Sequence, residues 1–318
     1  QSATHHTRSL AIPISVALKS SISPLQLASL QILTAKMAPP SYKDLGSCAR
    51  DLFNKGYHFG LMSLNLKTKT QNGVEFTSGG SATHETGKVS ASLQSKYQVK
   101  EYGLTFVEKW NTDNVWATEI TMQDYLVKGL KLGFDSSFAP QTSKKTGSIS
   151  SAFTNDCCAV DCNVDLLNGA PMVLASTVIG YNGWLAGCQA KFDAQNTKVV
   201  MNNIALGYSA KDFTFHTNVN DGQQFGSSVY QKVKPDLETG IQLSWKMGSN
   251  DTTFGIACKY QLDSDASVRA KINNNSQIGL GYQQKLRDGV TLTLSTMIDG
   301  KNFNQGGHKI GLSLELSA

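Results

Sequence analysis

From Leu61 to its last residues the chain alternates apolar and polar side chains with a period of two, and no other feature bounds the fold as tightly. Met62, Leu64 and Leu66 alternate with Ser63, Asn65 and Lys67. Val89, Ala91, Leu93, Ser95, Tyr97 and Val99 alternate with Ser90, Ser92, Gln94, Lys96 and Gln98, and Ile310, Leu312, Leu314 and Leu316 with Gly311, Ser313 and Glu315. A period of two sends successive side chains to opposite faces of a strand. The pattern therefore predicts a long antiparallel meander with one apolar and one polar face. Asn72-Gly73, Asn182-Gly183, Asp221-Gly222, Asp288-Gly289 and Asp299-Gly300 supply hairpin signals between the strands.

One stretch breaks the chemistry of its face without breaking the period. In Glu101–Trp110, EYGLTFVEKW, the residues Leu104, Phe106, Glu108 and Trp110 share a face, and Thr105, Val107 and Lys109 share the other. A carboxylate between a phenylalanine and a tryptophan is expensive where that face meets lipid. Glu108 is thus a candidate functional residue, against the plainer reading that it snorkels to the interface.

A soluble sandwich and a membrane barrel alternate in the same way, so periodicity cannot separate them. Three features favour the barrel. The strands are many and long, a single short helix is too small to cover them, and Tyr97, Tyr102, Trp110, Trp116, Tyr181 and Trp184 recur near strand ends, where an interfacial aromatic girdle needs them. Helical spans are excluded, because no run approaches the roughly 18 apolar residues they require. The longest candidate, Pro171 to Ile179, already contains a serine and a threonine.

Other classes fall away on chemistry. A net charge of +5 from dispersed Lys and Arg does not argue for nucleic acid. The six cysteines form no paired CxxC motifs and have no histidine cluster beside them, so no metal site is expected. Gly80–Lys88, GSATHETGK, has six residues between its glycines where a phosphate-binding loop has four. No enzyme is expected.

The N-terminal region differs in character. Residues 1–36 are basic, Ser-rich and acid-free, which fits a transit segment or, the preferred reading, an upstream-start artefact before Met37; in either case a non-barrel, disordered extension is expected. From Tyr42 to about Gly56 the period is helical. Leu45, Ala49, Leu52 and Phe53 form a narrow apolar stripe, Ser41 is the expected N-cap, and Pro39-Pro40 stop any upstream extension. The domains expected are thus 1–36 as extension, 37–60 as helix and hinge, and 61–318 as barrel.

At this point the residues resemble a known family. YKDLGSCARDLFNKGY (42–57), LKTKTQNGVEFTS (66–78), YGLTFVEKWNTDN (102–114), GLKLGFDSSF (129–138), FHTNVNDG (215–222), YQLDSDASVRAKINNNSQIGLGY (260–282) and DGKNFNQGGHKIGL (299–312) occur in the order found in the voltage-dependent anion channels, the porins of the mitochondrial outer membrane. The resemblance covers nearly all of 37–318. It implies an all-β transmembrane barrel of 19 mostly antiparallel strands, closed by a parallel first and last strand, with the N-terminal amphipathic helix inside the pore. It implies a voltage-gated, weakly anion-selective channel that passes ATP, ADP, other metabolites and ions. Lys309–Leu316 resembles the β-signal that directs such barrels to their insertion machinery, which makes a cleaved presequence unnecessary.

Site residues follow from the same resemblance. Arg50 and Lys55 on the helix, with Lys67, Lys96, Lys109 and Lys131 on polar strand faces, are expected to line the pore and raise the local anion concentration. Lys55, Gln277, Ile278, Gly279, Ser295, Thr296, Met297, Ile298 and Asp299 match nucleotide-binding positions, although the residues alone show no phosphate cradle. No cofactor is implied; ATP and NAD(H) enter as transported or weakly bound ligands. Glu108 matches a lipid-facing glutamate linked to oligomerisation, and Gly56 and Gly60 match the hinge. Membrane lipids, further copies of the chain, hexokinase and Bcl-2-type proteins are the partners implied. A non-conducting or weakly conducting scaffold of the same fold that recruits cytosolic kinases and apoptosis regulators is the alternative.

Three departures from the family pattern bear on function. His58 stands where the hinge usually has a glycine, Ser47 replaces the second helix lysine, and Ser148–Asp165 has lost its lysines and arginines. A stiffer hinge and a weaker anion preference are the expected consequences.

Overall fold

The computed structural model describes residues 38–166, 171–249, 252–301, 303–304 and 306–318; the extension expected over 1–36 lies outside them. Nineteen strands follow one short helix. They are β1 (Leu61–Lys69), β2 (Glu75–Thr83), β3 (Val89–Val99), β4 (Leu104–Asn111), β5 (Trp116–Gln123), β6 (Leu130–Ala139), β7 (Lys144–Thr154), β8 (Cys158–Asp165), β9 (Met172–Tyr181) and β10 (Trp184–Asp193). Then come β11 (Lys198–Ser209), β12 (Phe213–Asn220), β13 (Gln224–Lys234), β14 (Leu237–Lys246), β15 (Thr252–Gln261), β16 (Ala266–Asn273), β17 (Gln277–Arg287), β18 (Val290–Asp299) and β19 (Lys309–Ser317).

Sequential strands pair antiparallel, as strands joined by short loops must. An odd number of them leaves the first and last strands pointing the same way, so the ring closes through a parallel pair. Met62, Leu64 and Leu66 of β1 lie beside Leu312, Leu314 and Leu316 of β19. Closure removes every free sheet edge, which a backbone in hydrocarbon requires. At Asn182-Gly183 both residues take left-handed φ (49° and 85°), the geometry that lets two residues join twisted strands.

The two faces carry opposite chemistry. Met62, Leu64, Phe76, Leu93, Phe134, Ile204, Ile241 and Leu294 point outward and are exposed. Apart from Leu61 at the start of β1, their chain neighbours inside are small or polar. Tyr181, Trp184 and the register pair Trp110–Trp116 sit exposed at strand ends, as a girdle demands. Among the described residues no helix is long and apolar enough to cross a membrane; the strands form the wall.

The buried apolar clusters lie between the N-terminal segment and the inner wall. Leu45 packs on Ala159, Val178 and Ala205, and Leu52 with Phe53 packs on Ala257. All four residues of the expected stripe are buried. The helix itself is shorter than the periodicity implies. A 3-10 turn (Tyr42–Asp44) is separated from α1 (Ser47–Asn54) by Gly46, whose φ is 67°. The stripe runs through this break, which is why periodicity cannot reveal it. Glycine is required there twice over, since a Cβ would come within 2.9 Å of the His216 ring. Ser41 does not cap a backbone N–H with its side chain; its hydroxyl donates to the Asp44 carboxylate at 2.5 Å. Asp299-Gly300 opens the long connection between β18 and β19 and is not a tight turn.

Candidate pore and inner-wall cleft

Alternation on each strand sets the lining of the interior. All six cations expected to line the pore stand on the inner side, but carboxylates answer half of them. Lys109 Nζ lies 3.0 Å from Glu119, Lys96 is 3.8 Å from Glu75, and Lys55 is 2.7 Å from Asp51. Glu75 also takes Lys69 at 3.1 Å. Arg50, Lys67 and Lys131 form no ion pair among the described residues, although Arg50 donates to the Lys43 carbonyl at 2.6 Å. A count of cations along the sequence misses Glu75 and Glu119, because they sit on strands adjacent to Lys96 and Lys109, whereas Asp51 is one helical turn before Lys55. Solvated pairs of this kind leave a weak, screened residual field.

The loss of basic residues in β7 and β8 has a local consequence. Ser148 lies opposite Asp135 on one side and Asp165 on the other. Two inward carboxylates therefore flank a hydroxyl on this part of the wall.

The N-terminal segment lies in a track made by inward glycines. A Cβ on Gly240 or Gly255 would meet Leu52 or Phe53 at 2.9–3.0 Å, one on Gly279 would meet Phe59 at 2.7 Å, and one on Gly281 would meet the Gly56 carbonyl at 2.7 Å. On Gly311 it would fall 1.7 Å from the His58 carbonyl. Backbone bonds hold the linker in this track. The His58 N–H donates to Ser295 Oγ at 2.9 Å, the Gly60 N–H to the Ile310 carbonyl at 3.1 Å, and the His84 N–H to the Gly60 carbonyl at 3.0 Å. Gly56 and Gly60 both have positive φ (79° and 71°). His58 is anchored through its main chain, so a glycine in its place would make the same bonds.

Strand β16 caps the end of α1. The helix has no basic residue in its last turn, yet its carbonyls carry partial negative charge. Lys271 Nζ donates to the Phe53 carbonyl at 2.7 Å and Arg269 to the Lys55 carbonyl at 3.0 Å. The Lys271 ammonium also sits 4.2 Å from the Tyr57 ring centre and 5.1 Å from that of Phe59. Burial, opposed in part by Arg269, pushes the Tyr57 phenol up to about 12. Lys271 and Arg269 are absent from the residues expected from sequence. The signal was there: Val268, Ala270 and Ile272 alternate with Arg269, Lys271 and Asn273.

Beside this cap lies a cleft of about 310 Å³, lined by Phe53, Phe59, Lys271, Gln277, Gly279 and Met297 among others. The two segments expected to bind nucleotide are cross-strand neighbours here, with Gln277 opposite Asp299, Gly279 opposite Met297 and Gly281 opposite Ser295. Alternation splits the set. Gln277, Gly279 and Met297 reach the cleft, whereas Ile278, Thr296 and Ile298 fall on the outer face. Ser295 is buried and occupied with His58, and it donates to the Gly311 carbonyl at 3.4 Å. Asp299 lies at the end of β18, where its carboxylate accepts the Lys301 N–H at 3.0 Å. Lys55 keeps its ammonium on Asp51, outside the cleft lining.

Glu108 is exposed on the outer face between Phe106 and Trp110, with Ser95 and Thr118 as its cross-strand neighbours.

Comparison with known proteins agrees with this geometry. Residues 38–311 match the model of the eukaryotic porins. The chain is 58% identical over 282 residues to a voltage-dependent anion-selective channel of Drosophila melanogaster, covering 89% of this chain and 100% of that protein. It is 56% identical over 285 residues to the non-selective voltage-gated ion channel VDAC2 of Meleagris gallopavo, covering 90% and 96% of the two chains. Against VDAC2 of Homo sapiens the identity is 55% over 280 residues, covering 88% and 95%.

Proposed function

The chain belongs to the eukaryotic porin family, and from that premise we propose that it is a voltage-gated, weakly anion-selective channel. It carries ATP, ADP, other metabolites and ions across the mitochondrial outer membrane. It is a passive pore and not an enzyme. The observation that carries this reading is the closed wall with an apolar exterior and a charged, polar interior. Two features account for the weakness of the selectivity: carboxylates answer Lys55, Lys96 and Lys109, and the inward Asp135 and Asp165 oppose the bias of Arg50, Lys67 and Lys131.

Residues 38–60 are the element on which voltage acts. They bring Arg50 and the hinge glycines Gly56 and Gly60 into the pore, and a unit charge crossing the full field is worth about 2.3 kcal/mol per 100 mV. The cleft at Lys271, Gln277, Gly279 and Met297 is the inner-wall site for weak binding of ATP or NAD(H), with the Lys271 ammonium as its cation. Glu108 acts outward, on lipid and on further copies of the chain. Hexokinase and Bcl-2-type proteins are partners on family grounds.

Single-channel recording of the refolded full chain under a salt gradient tests the main reading. Large steps that close with voltage and a reversal potential favouring anions are the expected result. A well-folded barrel that forms no pores would overturn it. For the cleft, titration with NADH should perturb the amide signals of Gln277 and Gly279 before others; perturbation confined to other regions would remove the nucleotide assignment.

A further inference from the structure

The outer face holds one concavity that the channel function does not use. Between Lys191 and Phe192 the β10–β11 register slips, leaving Val200 as an extra residue in β11. Such a bulge bends its strand and increases the local twist. The result is a cavity of about 390 Å³, lined by Val199, Val200, Ile204, Val219, Asn202 and Asp221 among others. Val199, Val200 and Ile204 are each more than half exposed. Ile204 faces Val219 across the strands, Val219 faces Phe225, and the Phe225 ring stacks on Trp245 at 5.2 Å. The groove therefore lies beside an aromatic pair near the strand ends, the depth at which headgroups meet acyl chains.

The head of the groove is charged. Asp221 sits in the β12–β13 turn with a φ of 50°. Its Oδ1 accepts the Asn202 N–H at 2.8 Å, and its own N–H donates to the Asn202 carbonyl at 2.8 Å. These bonds hold the carboxylate at the mouth of the groove, and no ion pair answers it among the described residues. An apolar slot headed by a fixed anion fits an amphiphile with a cationic, hydrogen-bond-donating head.

We propose that this groove binds phosphatidylethanolamine, with its ammonium on the Asp221 carboxylate and an acyl chain along Val199, Ile204 and Val219. The choice of lipid follows from the chemistry. Phosphatidylcholine has no N–H to give a carboxylate, phosphatidylglycerol is anionic and is repelled, and a sterol hydroxyl brings no charge. The proposal rests on the barrel spanning a bilayer, but not on its conductance or selectivity.

Native mass spectrometry of the refolded full chain, given equal amounts of the ethanolamine, choline and glycerol phospholipids, tests it. A diazirine-bearing phosphatidylethanolamine maps the contact. The wild-type chain should retain phosphatidylethanolamine about three- to fivefold over the other two, the size expected of a partly solvated ion pair, and crosslink within 199–222. Asp221→Asn keeps an acceptor for the Asn202 N–H and tolerates the left-handed φ, and it should erase the preference. Ile204→Trp, which fills the groove, should abolish the crosslink. Equal retention of the three lipids, a preference that survives Asp221→Asn, or crosslinks confined to other strands would overturn the proposal. Channel recordings on the same sample report separately on the pore. If Ile204→Trp does not fold, the wild-type and Asp221→Asn comparison decides alone.

Discussion

Replacing Lys271 with methionine removes the cap on α1 while keeping a side chain of similar length against Tyr57 and Phe59. The lysine makes one charge-assisted hydrogen bond to the Phe53 carbonyl at 2.7 Å and lies over two rings at 4.2 and 5.1 Å. A hydrogen bond to a charged group contributes about 1.5–3 kcal/mol, and a cation–π contact at a wet site about 0.5–1 kcal/mol. One ammonium makes all three contacts, and water in the pore competes for it, so the sum is not additive. A loss of about 2 kcal/mol is the reasonable figure, which raises the released fraction of the segment roughly 30-fold. Hydrogen exchange reads this directly. The His58 N–H on Ser295 and the Gly60 N–H on the Ile310 carbonyl open only when the linker leaves the wall, so their exchange should accelerate by that factor. Lys259, paired with Glu238 at 3.3 Å, provides the control: Lys259→Met should leave both amides unchanged. A folded Lys271→Met barrel whose two reporters exchange at the wild-type rate would refute the assignment of Lys271 as the clasp.

Further expectations follow from the same geometry. Gly311→Ala places a Cβ on the His58 carbonyl, so it should displace the linker and shift the closing voltage in bilayer recordings while circular dichroism still shows a folded barrel. Ser148→Lys with Ser150→Lys should move the reversal potential toward stronger anion preference, because the ammonium at 148 would face Asp135 and Asp165 while that at 150, opposite Gly133 and Asn163, would add a cation that no cross-strand carboxylate answers; an unchanged potential would mean that this wall lies off the ion path. Glu108→Gln should alter self-association or lipid response and leave open-state conductance nearly unchanged, and a large fall in conductance would contradict its outward placement. The docked Tyr57 phenol, raised from 10.0 to about 12, stays neutral where a released one ionises. Docking is therefore constant through neutral pH and weakens as pH rises past 10, which ultraviolet titration of tyrosinate alongside hydrogen exchange would show; weakening between pH 7 and 9 would assign the change to another group.

Backbone period, turn chemistry and family resemblance were enough to read the wall. A period of two is a local property of consecutive side chains, so the two faces, the strands and the outward Glu108 could be seen without any tertiary contact. The stripe Leu45, Ala49, Leu52 and Phe53 was legible for the same reason. Pairing between distant residues was not. Whether Lys109 is a free cation depends on Glu119 one strand away, and the ends of α1 depend on Gly46 meeting His216 and on Lys271 and Arg269 reaching its last carbonyls. The nucleotide-matching segments show the division within a few residues. Resemblance marks Gln277–Gly279 and Ser295–Asp299 as contiguous runs, but a strand gives a ligand only every second side chain. Closure of the ring decided which half of each run faces the cleft and which half faces lipid. Composition along a chain reports which groups are available, and only the register of the closed sheet brings them within the few ångströms over which charges pair, carbonyls are capped and a carboxylate such as Asp221 is held at the mouth of a groove.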